Sequence, residues 1–154
     1  MSEGNADPGP IQTPPRWAPA DLPQIRARVK KSMTTDINGL LLPKGFRRED
    51  SRWLRQGVFF EVYFEFQKSQ YGFSCYFNIG RVSRLGDQQH WRMNSFLPTV
   101  ELKNEYDAHY YVDLDGDSPR RREIIRQLNE IGLPMLERLA SWRGLLTSLP
   151  PGSN

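Results

Sequence analysis

Residues 57–80, GVFFEVYFEFQKSQYGFSCYFNIG, decide the fold. From Val58 onward Val58, Phe60, Val62, Phe64 and Phe66 fall on one side, and Phe59, Glu61, Tyr63, Glu65 and Gln67 on the other. That period of two belongs to an extended strand. After Lys68-Ser69-Gln70-Tyr71 a second alternation sets Phe73, Cys75, Phe77 and Ile79 against Ser74, Tyr76 and Asn78. Two such runs so close in sequence predict an antiparallel hairpin. A tight turn centred on Ser69-Gln70 places Phe66 opposite Phe73, Phe64 opposite Cys75 and Val62 opposite Phe77. The same register pairs Tyr63 with Tyr76 and Glu65 with Ser74 on the wet face. Each large side chain buried from the apolar face contributes about 1.5–3 kcal/mol, which makes the hairpin the expected centre of the core.

On the N-terminal side, Asp21 before Leu22-Pro23 reads as a helix cap followed by a first-turn proline. Leu22, Ile25, Val29, Met33, Ile37, Leu40 and Leu41 then recur every three or four positions, with Arg26, Arg28, Lys30 and Lys31 mostly between them. The pattern predicts an amphipathic helix that ends near Leu42, before Pro43, with Phe46 returning to the core after Gly45. Arg52-Trp53-Leu54-Arg55 and the turn residue Gly57 lead into the hairpin. Residues 81–109 lack periodicity and read as mostly irregular, with a candidate strand at 99–103. Tyr110 to Leu114 reads as a further strand. Asp117-Ser118-Pro119 repeats the cap-and-proline signature, and Ile124, Ile125, Leu128 and Ile131 give the helix that follows its buried stripe. Gly132-Leu133-Pro134 is expected to break that helix. A last one carries Leu136, Leu139 and Trp142 inward.

The chain has 154 residues, enough for one core without staples. Pro8, Pro10, Pro14, Pro15 and Pro19 with few apolar neighbours make residues 1–20 a proline-rich, disordered tail, leaving one domain over 21–149 and a short tail over 150–154. The single cysteine, Cys75, faces inward and forms no internal disulfide, which fits a reducing compartment and a cytoplasmic protein. The N-terminus has no signal-peptide pattern and no apolar run is long enough to span a bilayer, so no membrane partner is expected. A net charge of +3 is a small excess and does not favour nucleic acid.

Leu42-Pro43-Lys44-Gly45-Phe46, Trp53-Leu54-Arg55, Gln67-Lys68-Ser69, Asn78-Ile79-Gly80, His90-Trp91-Arg92 and Gly132-Leu133-Pro134-Met135-Leu136, in that order, resemble a bacterial family, the domain of unknown function 4304. The likeness covers about residues 25–148. It implies a small bacterial protein and carries no activity, cofactor or catalytic residue over to this chain. The proline-rich N-terminal extension departs from the family pattern.

No motif supports catalysis. Asp113-Leu114-Asp115-Gly116-Asp117 has Ser118 where a calcium loop needs glycine and Ile124 where it needs the bidentate glutamate. His90 and His109 lack metal-ligand spacing, and no cofactor or metal is expected. Arg120-Arg121-Arg122 opposes the dipole of the helix it opens, with Asp113, Asp115 and Asp117 close enough to compensate.

The expected fold is therefore α+β, an antiparallel sheet of three to five strands packed on one face by the N-terminal helix and the C-terminal helices. The leading functional reading is a non-catalytic protein-binding module, immunity- or antitoxin-like, using Arg55, Glu61, Tyr63, Glu65, Gln67, Tyr76, Asn78 and Trp91. Tyrosines beside carboxylates and amides offer rigid contact area together with hydrogen bonds. One alternative is an enzyme or small-ligand binder using Glu61, Glu65, Arg55 and His90. The other is nucleic-acid binding through the basic helices.

Overall fold

The computed structural model describes residues 19–70, 72–96 and 109–146. The two expected tails and the candidate strand at 99–103 lie outside them, apart from the tail's last two residues. Helix α1, Leu22–Leu41, buries Leu22, Ile25, Val29, Met33, Ile37 and Leu41, the stripe the sequence spells. Its start differs from expectation, because Asp21 caps with its backbone rather than its carboxylate. The Asp21 carbonyl accepts the Gln24 and Ile25 amides, both at 3.0 Å. Gly45, at φ +85°, ends the short turn after α1 and returns Phe46 to the core.

Six strands follow among the described residues: β1 (Arg47–Glu49), β2 (Arg52–Gln56), β3 (Phe60–Lys68), β4 (Ser74–Ser83), β5 (Gln88–Arg92) and β6 (His109–Tyr110). All pairings are antiparallel in the order β1-β2-β3-β4-β5, with β6 added to β4 beside its start. The fold is α+β, with one strand more than the expected maximum. The middle segment supplies β5 where irregular chain was expected. Tyr111–Leu114 forms a 3₁₀ turn instead of a strand. Val58, in phase with the inner face, is nevertheless 52% exposed, because the strand starts only at Phe60.

The hairpin register also differs. Phe66 opposes Phe77, Phe64 opposes Ile79, Val62 opposes Arg81, Tyr63 opposes Gly80 and Glu65 opposes Asn78. The link between β3 and β4 is wider than a tight turn. The Gly72 amide donates to Ser69 O at 3.0 Å, with Gly72 at φ +78°, and the Ser69 amide closes on Ser74 O at 2.9 Å. Phe73 thereby loses its cross-strand partner, since β4 starts at Ser74, while still packing at the margin of the core. Its ring stacks on Tyr110 at 6.2 Å and its carbonyl accepts the Tyr111 amide. The slip, from Phe73 to Phe77 opposite Phe66, is an even number of residues, so the buried and exposed faces keep their composition.

Helix α2 (Pro119–Gln127) is capped by Ser118, whose hydroxyl accepts the Arg121 amide at 3.1 Å. Gly132-Leu133-Pro134 does not break the helical path. The turn Leu128–Gly132 widens to a π geometry, with the Leu133 amide reaching back to Leu128 O, and α3 (Leu133–Ala140) continues from it. The wide turn absorbs the missing proline N–H and its ring, which a regular turn accommodates poorly. Trp142 is 58% exposed rather than inward, because α3 stops at Ala140. α1, α2 and α3 bury Val62, Phe64, Phe66, Phe77 and Ile79 in one cluster with Leu128, Leu136 and Leu139. No helix among the described residues is long and apolar enough to cross a membrane.

Candidate functional site

The sheet face opposite the helices takes alternate residues from five strands. One row crosses all of them, Glu49, Arg52, Glu65, Asn78 and Arg92 being successive cross-strand partners. Opposite charges on neighbouring strands attract, and here each group also makes a directed bond. Arg52 Nε donates to Glu65 Oε1 at 2.9 Å, and Asn78 Nδ2 donates to Glu65 Oε2 at 3.0 Å and to Gln67 Oε1 at 2.9 Å. Arg92 Nη1 reaches Asn78 Oδ1 at 3.4 Å, while its guanidinium lies 3.4 Å from the centre of the Tyr76 ring. Next to this row, Arg47 Nη2 donates to Glu61 Oε2 at 2.8 Å.

Tyr63 sits in the same face but is fully buried. Its ring lies flat over Gly80, where a Cβ would come within 2.0 Å of Tyr63 Cζ. Arg52 covers the ring at 4.5 Å and Gln88 Nε2 donates to the phenol oxygen at 2.7 Å. Burial raises the Tyr63 phenol pKa, against the Gln88 hydrogen bond and the Arg52 charge, and the nearby Glu65 adds to the rise. The phenol therefore stays protonated across the physiological range.

Of the eight residues singled out from the sequence, Glu61, Tyr63, Glu65, Gln67, Tyr76 and Asn78 share this face. Tyr63 and Asn78 are buried supports, leaving Gln67, Tyr76 and the carboxylate edges for contact. Arg55 and Trp91 lie on the opposite, helix-covered side. Arg55 is opposite Val62, with its guanidinium over Phe46 at 4.9 Å, 2.9 Å from Lys44 O and 3.7 Å from Glu137. Trp91 is opposite Ile79, only 3% exposed, against Phe96. His90 does join the open face, in the row of Tyr63 and Gly80. Glu61 and Glu65 are each held by an arginine, Arg47 and Arg52, so Arg55 completes no carboxylate–arginine set with them.

The sequence reading missed Arg47, Arg52 and Arg92. The usable signal was the period of two in Gln88-Gln89-His90-Trp91-Arg92 and in Arg52-Trp53-Leu54-Arg55-Gln56. No group of three or more His, Cys, Asp or Glu side chains is placed to hold a metal among the described residues. No family model, curated protein or solved structure matches the chain.

Proposed function

We propose that the chain is a non-catalytic protein-binding module whose open sheet face receives a folded partner. The observation that supports this reading is the Tyr76–Arg92 pair, stacked at 3.4 Å and tied to Asn78 at the β5 end of the polar row. Tyrosine and arginine are the residue types that dominate protein interfaces, and side chains already held by neighbours lose little entropy when a partner arrives. Four gaps of about 4.8 Å between five strands give a face about 19 Å wide. β3 and β4 have 9 and 10 residues but β1, β2 and β5 only 3 to 5, so the face is on the order of 400 Å², about half of one side of a standard protein interface.

An immunity- or antitoxin-like role for this chain suits such a face, its partner then being a toxin with acidic and basic groups that complement Arg92, Arg52 and Glu65. The ordered short motifs support membership of the domain of unknown function 4304 family, and the lone buried Cys75 suits the bacterial cytoplasm. The test is affinity capture with the full chain, followed by titration of the purified partner. Tyr76→Ala and Arg92→Ala are the variants of choice, because Tyr63→Ala would remove a buried side chain and confound binding with stability. Together they should weaken the complex at least about tenfold, as loss of an interface hot spot does. Unchanged affinity at unchanged folding overturns the proposal, as does capture of no stoichiometric partner.

A further inference from the structure

A cleft of about 470 Å³ opens on the other side of the molecule, between α1 and the ends of β1, β2 and β3. Its volume lies in the range of small-molecule sites. Ala27, Trp53, Phe66 and Tyr111 line its apolar floor. Arg26 and Lys30 from α1, Arg48 from β1 and Lys68 from the end of β3 converge on it, against one carboxylate, Asp50.

That imbalance departs from the rest of the surface. Six arginines elsewhere stand beside carboxylates, Arg28 with Asp115, Arg47 with Glu61, Arg52 with Glu65, Arg121 with Asp36, Arg122 with Asp117 and Arg126 with Glu123, while Arg81, Arg84 and Arg92 meet neutral oxygens without gathering into a cluster. At the cleft the two arginines are oriented by main-chain oxygens instead. Arg26 Nη1 donates to Gly72 O at 2.6 Å, and Arg48 Nε donates to Asp50 O at 2.9 Å. Neutral acceptors fix these guanidinium groups without cancelling their charge, and each keeps further N–H donors free. Lys30 and Lys68 make no ion pair with any described residue. Four like charges gathered around a concavity repel one another, and an anion placed between them relieves that repulsion.

We propose that this cleft binds a small organic phosphate, with its ring or chain on the apolar floor and its dianionic head among Arg26, Lys30, Arg48 and Lys68. The excess of four cations over one carboxylate matches a dianion better than a monoanion. The apolar floor distinguishes an organic phosphate from the inorganic ion.

The test is calorimetric titration of the full chain with phenyl phosphate, benzoate, inorganic phosphate and phenol, at low and at physiological ionic strength. Phenyl phosphate should bind most tightly, at least about tenfold more tightly than inorganic phosphate, and should weaken as salt rises. The double variant Lys30→Gln/Lys68→Gln removes only unpaired surface charges and should lose at least about tenfold in affinity. Amide shift mapping of the unaltered chain is the second readout. The shifts should centre on Lys30, Arg48, Lys68 and Gly72. Absence of phenyl phosphate binding, equal affinity for phosphate or benzoate, shifts centred elsewhere, or undiminished binding by the double variant each overturns the proposal.

Discussion

Gly80 and Tyr63 show how much one position can carry. Tyr63 covers the sheet only because Gly80 has no side chain, and a Cβ there would overlap the ring at 2.0 Å. Gly80→Ala should therefore cost about 1–3 kcal/mol, the usual range for forcing atoms into a packed site, read as a lower urea midpoint with an unchanged slope. His109 is a second such residue. It is 5% exposed, and burial, reinforced by the Arg120 charge, lowers its pKa from 6.5 to about 4. Below pH 6.5 the unfolded chain takes up a proton that the folded chain refuses until about pH 4. Stability should thus fall as pH drops through that window, by on the order of 3 kcal/mol in total, and the same series on His109→Gln should be flatter. Asp115 and Glu123 have carboxyl pKa values lowered by Arg28 and Arg126 respectively, so their contribution is lost at more acidic pH.

Between elements, Arg121 is the clearest tie. Its guanidinium on α2 donates to Asp36 Oδ2 at 3.0 Å through Nε and to Ser32 Oγ at 2.6 Å through Nη1, both on α1. The Arg121 side chain is only 14% exposed, so the pair is screened less than a surface bridge. A double-mutant cycle of Arg121→Ala and Asp36→Ala should give a coupling of about 1 kcal/mol, and additive losses would contradict the tie. This contact also explains the cations opening α2 against its dipole: Arg121 reaches α1 and Arg122 meets Asp117. Such long-range partners are invisible in the local pattern. What the local pattern did spell is face composition. The inward Val62, Phe64 and Phe66 and the outward Glu61, Glu65 and Gln67 follow from a period of two that no register slip by an even number disturbs. The register itself depended on the width of the Ser69–Phe73 connection, and the placement of Arg55 and Trp91 on pairing partners far along the chain. Neither is encoded in alternation. The π turn before Pro134 was hidden for a similar reason, since Gly132-Leu133-Pro134 carries the same letters as a helix break.

At the scale of the molecule, one sheet separates two kinds of surface. The helix-covered side holds the core, and at its margin lies a cleft whose cations have a single carboxylate among them. The open side holds polar side chains that have largely satisfied one another, from Arg47 and Glu61 at one edge to Tyr76 and Arg92 toward the other. Under the proposed binding role, a face organised in this way needs little reorganisation when a partner arrives. Its role is measured most directly by titrating the captured, purified partner against the wild-type chain, the Tyr76→Ala/Arg92→Ala variant and the Lys30→Gln/Lys68→Gln variant. The account predicts a loss of at least about tenfold for the first variant alone, with both variants folded. Equal affinity of wild type and the Tyr76→Ala/Arg92→Ala chain would contradict it.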